Sequence, residues 1–325
     1  MNTHPIGKTG LEVTELGFGA AQIGNLYRAI DDDTAQDALE AAWESGFRYF
    51  DTAPYYGHGL SEHRLGRFLR GIDRNSYVLE TKVGRLLVPT ADEPDSTTGF
   101  ASPLPFNPVY DYSYAGVMRS YEHSLHRLGV HRIDILLVHD IGELTHGVEG
   151  NRRHMSGFLD GGVKALEELK SNGNIAAWGL GIKETDICLQ VLGHAHPDCF
   201  MLAGRYTLLE QSDAKPLLSQ CLQRNVSIIV AGAYNSGILA RGAKPGAMYE
   251  YGPAPDDILT RVAKLEDACA QFDVPLSTAA LQFPLRHPAV SSVVVGGRTR
   301  EQVEGNLQNL NAVIPEELWE ALKDV

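Results

Sequence analysis

Eight short apolar runs, each followed by a stretch of helical spacing, constrain this 325-residue chain more than any other feature. The runs lie at residues 16–20, 49–53, 77–83, 133–139, 176–182, 200–204, 226–231 and 292–296. They are apolar residue after residue, rather than at every second position. A strand of that kind is buried on both faces, as in a parallel sheet. Helical spacing follows at 35–43, 61–69, 115–128, 162–169, 185–192, 214–222 and 257–272, the last continued over 277–285. Two closing helices are expected at 300–310 and 315–322. Asp31, Asp32, Asp33 and Thr34 supply N-cap candidates for the first helix, and Gly46 ends it. Eight such units without interruption favour a closed (β/α)8 TIM barrel over a doubly wound sheet. The expectation is a single α/β domain over residues 1–325, opened by a small N-terminal hairpin whose turn holds Gly7 and Gly10.

Three segments are longer than ordinary connections: 85–114, with five prolines, 141–161, rich in Gly, His and Arg, and 234–255, with Tyr249 and Tyr251. All three follow strands and are expected as loops on the C-terminal face, where barrel active sites form.

Composition narrows the function. The formal charge of −13 argues against a nucleic-acid partner, which needs clustered Lys and Arg. Cys188, Cys199, Cys221 and Cys269 are far apart, with no Cys-x-x-Cys spacing, and read as reduced thiols of a cytoplasmic protein. The first residues, Met1-Asn2-Thr3-His4-Pro5, show no leader pattern, and no apolar run approaches the roughly 18 residues of a membrane span. The expected partner is a small-molecule substrate, with the chain a monomer or small homo-oligomer.

Polar residues at the strand ends carry the chemistry. Asp51 ends the second run and Tyr56 follows it; Lys82 lies in the third run, and His139 ends the fourth. A lone Lys in a strand is usually solvated, and a lone His at a strand end is usually a satisfied surface residue. An Asp, a Lys and a His at matching depth on three consecutive apolar strands are instead expected to converge. Asp51 and Lys82 can then neutralise each other where either charge alone would cost several kcal/mol. Tyr56 can fold back over the ammonium, which favours the phenolate over a phenol of ordinary pKa near 10. A tyrosine so tuned can move a proton to or from a substrate oxygen, with His139 hydrogen-bonding the same oxygen. No nucleophile elbow, glycosidase-type carboxylate pair or metal-ligand cluster is seen. A proton-transfer site of this kind suits carbonyl–alcohol redox.

Phe50-Asp51-Thr52-Ala53-x-x-Tyr56-Gly57, Thr81-Lys82 and Leu137-Val138-His139-Asp140 together resemble the aldo-keto reductase superfamily, over essentially the whole chain. The resemblance implies a catalytic tetrad of Asp51, Tyr56, Lys82 and His139, with Tyr56 the general acid/base. It implies NAD or NADP bound in extended form without a Rossmann glycine motif. Carried over, the cofactor contacts fall at Gly19, Lys183, Arg205, Ala231, Gly232, Gly237, Leu239, Gly297, Arg298, Thr299, Gln302 and Asn306. The substrate contacts fall at Phe18, Tyr55 and Tyr234. No metal is implied.

The cofactor half departs from the commoner family pattern. Lys183 stands near the position of an Asn, Gly204-Arg205-Tyr206 replaces a Gln, and Ala231-Gly232-Ala233 replaces a stacking Tyr. This pattern, with residues 203–211, resembles a branch that holds L-fucose or D-threo-aldose 1-dehydrogenase, L-galactose dehydrogenase and pyridoxal 4-dehydrogenase. It implies oxidation of an aldose at C1 to the lactone. The alternatives are pyridoxal 4-dehydrogenase or general aldehyde and ketone reductase activity, and, less favoured, a non-catalytic regulatory subunit. Gly296 and Gln302 stand where NADP-binding relatives often place Lys and Arg, which favours NAD.

Overall fold

A computed structural model describes residues 1–324 apart from 93, 95 and 251, so Tyr251 of the third long segment lies outside the described residues. Eight parallel strands close into a barrel: β1 (Leu16–Gly19), β2 (Tyr49–Asp51), β3 (Val78–Val83), β4 (Ile135–His139), β5 (Ala177–Ile182), β6 (Cys199–Ala203), β7 (Ser227–Ala231) and β8 (Val290–Gly296). Each pairs with the next in chain order, and β8 pairs with β1. This is the expected (β/α)8 architecture.

The period of two along each strand divides the core into two layers. Tyr49, Val78, Ile135, Leu137, Ala177, Cys199, Met201, Ile229 and Val294 pack together inside the barrel. Leu16, Phe18, Phe50, Leu79, Leu136, Trp178, Leu180 and Phe200 face the surrounding helices. Inside, glycines make room for larger neighbours. A Cβ on Gly17 would meet the Tyr49 ring at 2.6 Å, and one on Gly181 would meet Lys82 Cε at 3.2 Å.

The expected N-terminal hairpin forms from Thr3–Pro5 and Glu12–Thr14. It sits across the N-terminal mouth of the barrel. Ile6 and Val13 join the interior cluster, and the Pro5 carbonyl accepts hydrogen bonds from the Ser227 and Ser291 hydroxyls.

The long segments have more structure than expected. Residues 85–114 carry an antiparallel hairpin, Arg85–Pro89 with Phe106–Tyr110. Its prolines are tolerated because both strands are edges. Residues 141–161, expected as a loop, are mostly helix, Glu143–Gly157, bent at Gly147 (φ 63°) and running through a wide turn into the helix Val163–Ser171. Residues 234–255 hold the one-turn helix Ile238–Arg241 and a small hairpin, Met248–Tyr249 with Gly252–Pro253.

Glycine substitutions test the layer assignment. A Cβ on Gly179 would lie 1.8 Å from the Cys199 carbonyl oxygen. Gly179→Ala is therefore expected to lower unfolding stability by more than about 3 kcal/mol, measured by denaturant titration. Gly305→Ala, in the open helix Arg300–Asn311, is expected to be neutral or to stabilise by about 1 kcal/mol.

Candidate active site

β2 delivers Asp51 to the barrel interior beside Tyr49, with Phe50 between them facing the helices. β3 delivers Lys82 at the same depth. The Lys82 ammonium donates to the Asp51 carboxylate and, at 3.0 Å, to the Thr52 carbonyl. Lys82 is 2% exposed and Asp51 3%, so the pair is shielded from water. Burial alone would push the Lys82 pKa down. The opposing pull of Asp51, the foremost of its anionic neighbours, leaves it raised, and Lys82 is a cation.

Tyr56 lies on the turn after β2. Glycines set this turn: a Cβ on Gly24 would come within 2.8 Å of the Tyr56 backbone, and one on Gly57 (φ +63°) within 2.4 Å of the Gly24 carbonyl. The turn carries the Tyr56 ring to 4.9 Å from the Lys82 ammonium. His139 ends β4 with its ring edge-on to Tyr56, 6.0 Å between centroids at 88°. Burial foremost, then the charges of Arg85 and Lys82, hold the imidazole pKa well below its usual 6.5. His139 is therefore a neutral hydrogen-bonding group at neutral pH.

Tyr55 is equally close to His139, 6.0 Å at 80°. The cations separate the two tyrosines. Tyr55 stacks under the Arg85 guanidinium at 4.0 Å, and its phenol is raised, chiefly by burial. Only Tyr56 faces Lys82 among these two.

Sequence reasoning missed the roof over this patch. Arg85 pairs with Asp140, the residue after His139, which adopts a left-handed backbone (φ 46°). The Tyr112 hydroxyl donates to the His139 carbonyl at 2.9 Å and meets His146 Nε2 at 2.9 Å. Burial, then His154 and Arg85, push the His146 pKa down to about 4. The imidazole is neutral, and its Nε2–H can donate to the Tyr112 oxygen. A cleft of about 390 Å³ opens beside Tyr55, lined by Thr97, Thr98, Asn107, Pro108 and Tyr110.

The expected cofactor residues lie on the other arc of the barrel, on or just past β5 to β8 and β1. Gly19 pairs with Asp51 and leaves the rim open there; a Cβ would press on Val294 at 2.9 Å. Ala231 ends β7, followed by Gly232 (φ +67°) and, further on, Gly237 (φ +91°). Lys183 and Arg205, from β5 and β6, both ion-pair with Glu250 at the tip of the small hairpin, at 2.5 and 2.7 Å. Past β8, Gly297 packs on Val303, Thr299 precedes the helix Arg300–Asn311, and the Arg298 amide donates to Gln302 Oε1 at 2.9 Å. The Arg298 guanidinium donates to the Leu26 carbonyl at 2.6 Å and feels the charges of Arg28 and Arg241. That local concentration of cations suits the phosphates of a dinucleotide.

Four further expected contacts are engaged within the protein. Phe18 packs against Phe50 in the helix-facing layer, because Gly17 and Gly19 take the inward positions of β1. The Leu239 side chain is fully buried, and its amide donates to the Tyr234 carbonyl. The Tyr234 hydroxyl is spent on Asn306 at 3.0 Å, and the Asn306 amide on the Gly296 carbonyl at 3.3 Å.

Comparison with known proteins agrees with this geometry. Residues 15–325 match the aldo/keto reductase family. The chain is 43% identical to pyridoxal 4-dehydrogenase of Microbacterium luteolum, over 98% of this chain and 95% of that protein. It is 40% identical to D-threo-aldose 1-dehydrogenase of a Pseudomonas species, over 97% and 94%. The solved holo form of aldo-keto reductase AKR11C1 from Bacillus halodurans superposes with a TM-score of 0.77 at 25% identity, over 100% of this chain and 96% of that one. A tyrosine, an ion-paired lysine and a neutral histidine at the mouth of an eight-stranded barrel thus meet a family match over nearly the whole sequence, and the chain belongs to the aldo/keto reductase family.

Proposed function

We propose that this protein is an NAD(P)-dependent dehydrogenase that oxidises an aldose at C1 to its lactone. The observation that carries the proposal is the Lys82 ammonium, fixed by Asp51 and the Thr52 carbonyl, 4.9 Å from the Tyr56 ring. A fixed, desolvated cation favours the phenolate of the tyrosine it faces. Tyr56 then removes the proton of the anomeric hydroxyl as general base. Neutral His139 hydrogen-bonds the same oxygen and orients it. Asp51 keeps the lysine charged and still, and Tyr55 and the 85–110 hairpin present aromatic and polar groups to the rest of the sugar. A bound dinucleotide would supply the hydride acceptor for C1. Gly19, Gly232, Gly237 and Arg298 would hold it, with Lys183 and Arg205 beside them.

A second reading has its own support. The 43% identity to a pyridoxal 4-dehydrogenase favours a pyridoxal-type alcohol in the same cleft, whose aromatic walls also suit a planar ring. A panel of aldoses and pyridoxal, followed at the nicotinamide absorbance, separates the two. The expected outcome is highest kcat/KM on an aldose; pyridoxal alone as substrate would replace the first reading with the second.

Tyr56→Phe is expected to reduce kcat by about 10³-fold, as for loss of a general base, while cofactor binding measured by fluorescence stays intact. Undiminished turnover would remove Tyr56 from the mechanism as the general base. Oxidation should rise with pH between 6 and 10, as the phenolate forms. His139 is already neutral across that window, so a flat profile counts against Tyr56 as base.

NAD is the proposed cofactor. Gly296 and Gln302 stand where NADP-binding relatives often place Lys and Arg, and Gln302 is engaged with the Arg298 amide. The expected kcat/KM is higher with NAD than with NADP, and a tenfold preference for NADP would overturn the assignment.

A further inference from the structure

β3 brings a second ionisable group into the barrel. Glu80 precedes Lys82 by two residues, so both side chains face the interior. Glu80 is 0% exposed, and its strand partner is Asp51. Its Oε2 accepts the Tyr49 hydroxyl at 2.6 Å, while Oε1 is buried and accepts no hydrogen bond among the described residues. The titratable groups that face it, among the described residues, are Tyr49 and Asp51 from β2, Lys82 from its own strand and Cys199 from β6. The remaining walls are apolar: Ile135 and Leu137 of β4, Ala177 of β5, Ile229 of β7 and Val294 of β8.

Two carboxylates and one ammonium would leave a net negative charge in this enclosed volume. Like charges sharing a buried site do not both ionise; one keeps its proton. Asp51 holds the contact with the ammonium, while Glu80 Oε2 holds the Tyr49 hydroxyl. We infer that Glu80 is a neutral carboxylic acid in the resting enzyme, with its Oε1 proton directed to Asp51, and that it is a positioning residue for the Asp51–Lys82 pair. Burial first, then the charge of Asp51, act on Glu80 in the same direction and raise its pKa. The inference rests on the reading of Asp51, Lys82 and Tyr56 as the proton-transfer patch. With Glu80 neutral, Asp51 and Lys82 sum to zero and the ammonium still acts on Tyr56. An ionised Glu80 would add a negative charge below the lysine and oppose the phenolate.

Glu80→Gln keeps both the charge count and a donor. Two measurements then test the inference. In the infrared difference between wild type and E80Q at neutral pH, the wild type is expected to show a protonated-carboxyl carbonyl band. A pair of carboxylate bands instead overturns the inference. In the pH profile of oxidation, the E80Q midpoint is expected within about 0.3 unit of wild type, with kcat/KM reduced a few-fold by the weaker donor. A midpoint lower by about one unit or more would mean that a negative charge had been removed, and would overturn it too. If E80Q does not fold, wild type labelled with 13C at glutamate carboxyls gives the same reading: one carboxyl should stay at its protonated shift from pH 5 to 8, and its absence overturns the inference. The spectroscopic readings need no turnover, so they stand or fall separately from the role of Tyr56.

Discussion

The ion pair between Lys82 and Asp51 is the interaction on which the rest of this structure depends. An ammonium that is 2% exposed is tolerated only with a partner, and removing one member of such a pair typically costs about 3–5 kcal/mol. The chain meets this requirement by placing the two residues on adjacent parallel strands and adding the Thr52 carbonyl as a second acceptor. Gly181 on β5 leaves the volume that the lysine stem fills. Once the pair is fixed, the field it presents at the C-terminal mouth is fixed too, and the turn bearing Tyr56 brings that ring to 4.9 Å from the ammonium. Burial with Arg85 and Lys82 keeps His139 uncharged, so the two cations do not become three.

Labour is divided around the barrel. Asp51, Tyr56, Lys82 and His139 lie on or just past β2, β3 and β4, while the expected cofactor residues lie on or past β5 to β8 and β1. The hairpin Arg85–Pro89 with Phe106–Tyr110 lines the cleft beside Tyr55, and the helix Glu143–Gly157 brings His146 to Tyr112. Arg85 joins these levels. It stacks on Tyr55, pairs with Asp140 and adds to the charge that keeps His139 neutral. Glu250 plays a comparable part on the opposite arc, where one carboxylate engages cations from two strands.

Much of this was legible in the sequence, for a physical reason. Strands buried on both faces must be apolar throughout, so a polar residue inside one stands out, and Asp51, Lys82 and His139 did. Glu80 carried the same signal, since the period of two places it inward with Lys82, yet it stood outside the motif and was passed over. Phe18 went the other way: the same period turns it outward, against Phe50. The helix Glu143–Gly157 was hidden because three glycines at 147, 150 and 157 interrupt its spacing and its N-terminal cap comes from a distance. Glu184, past β5, accepts the amides of Glu143 and Leu144 at 2.7 and 3.2 Å. The pairing of Glu250 with Lys183 and Arg205 likewise depends on how a long segment folds back, and local composition does not encode that. The bond from the Tyr234 hydroxyl to Asn306, 72 residues on, is of the same kind.

The N-terminal hairpin has a consequence for the whole interior. By setting Ile6 and Val13 among the barrel residues and anchoring Pro5 to Ser227 and Ser291, it turns an open-ended cylinder into a well with one opening. The charged groups at mid-depth then share a single exit, and Tyr56 stands in it.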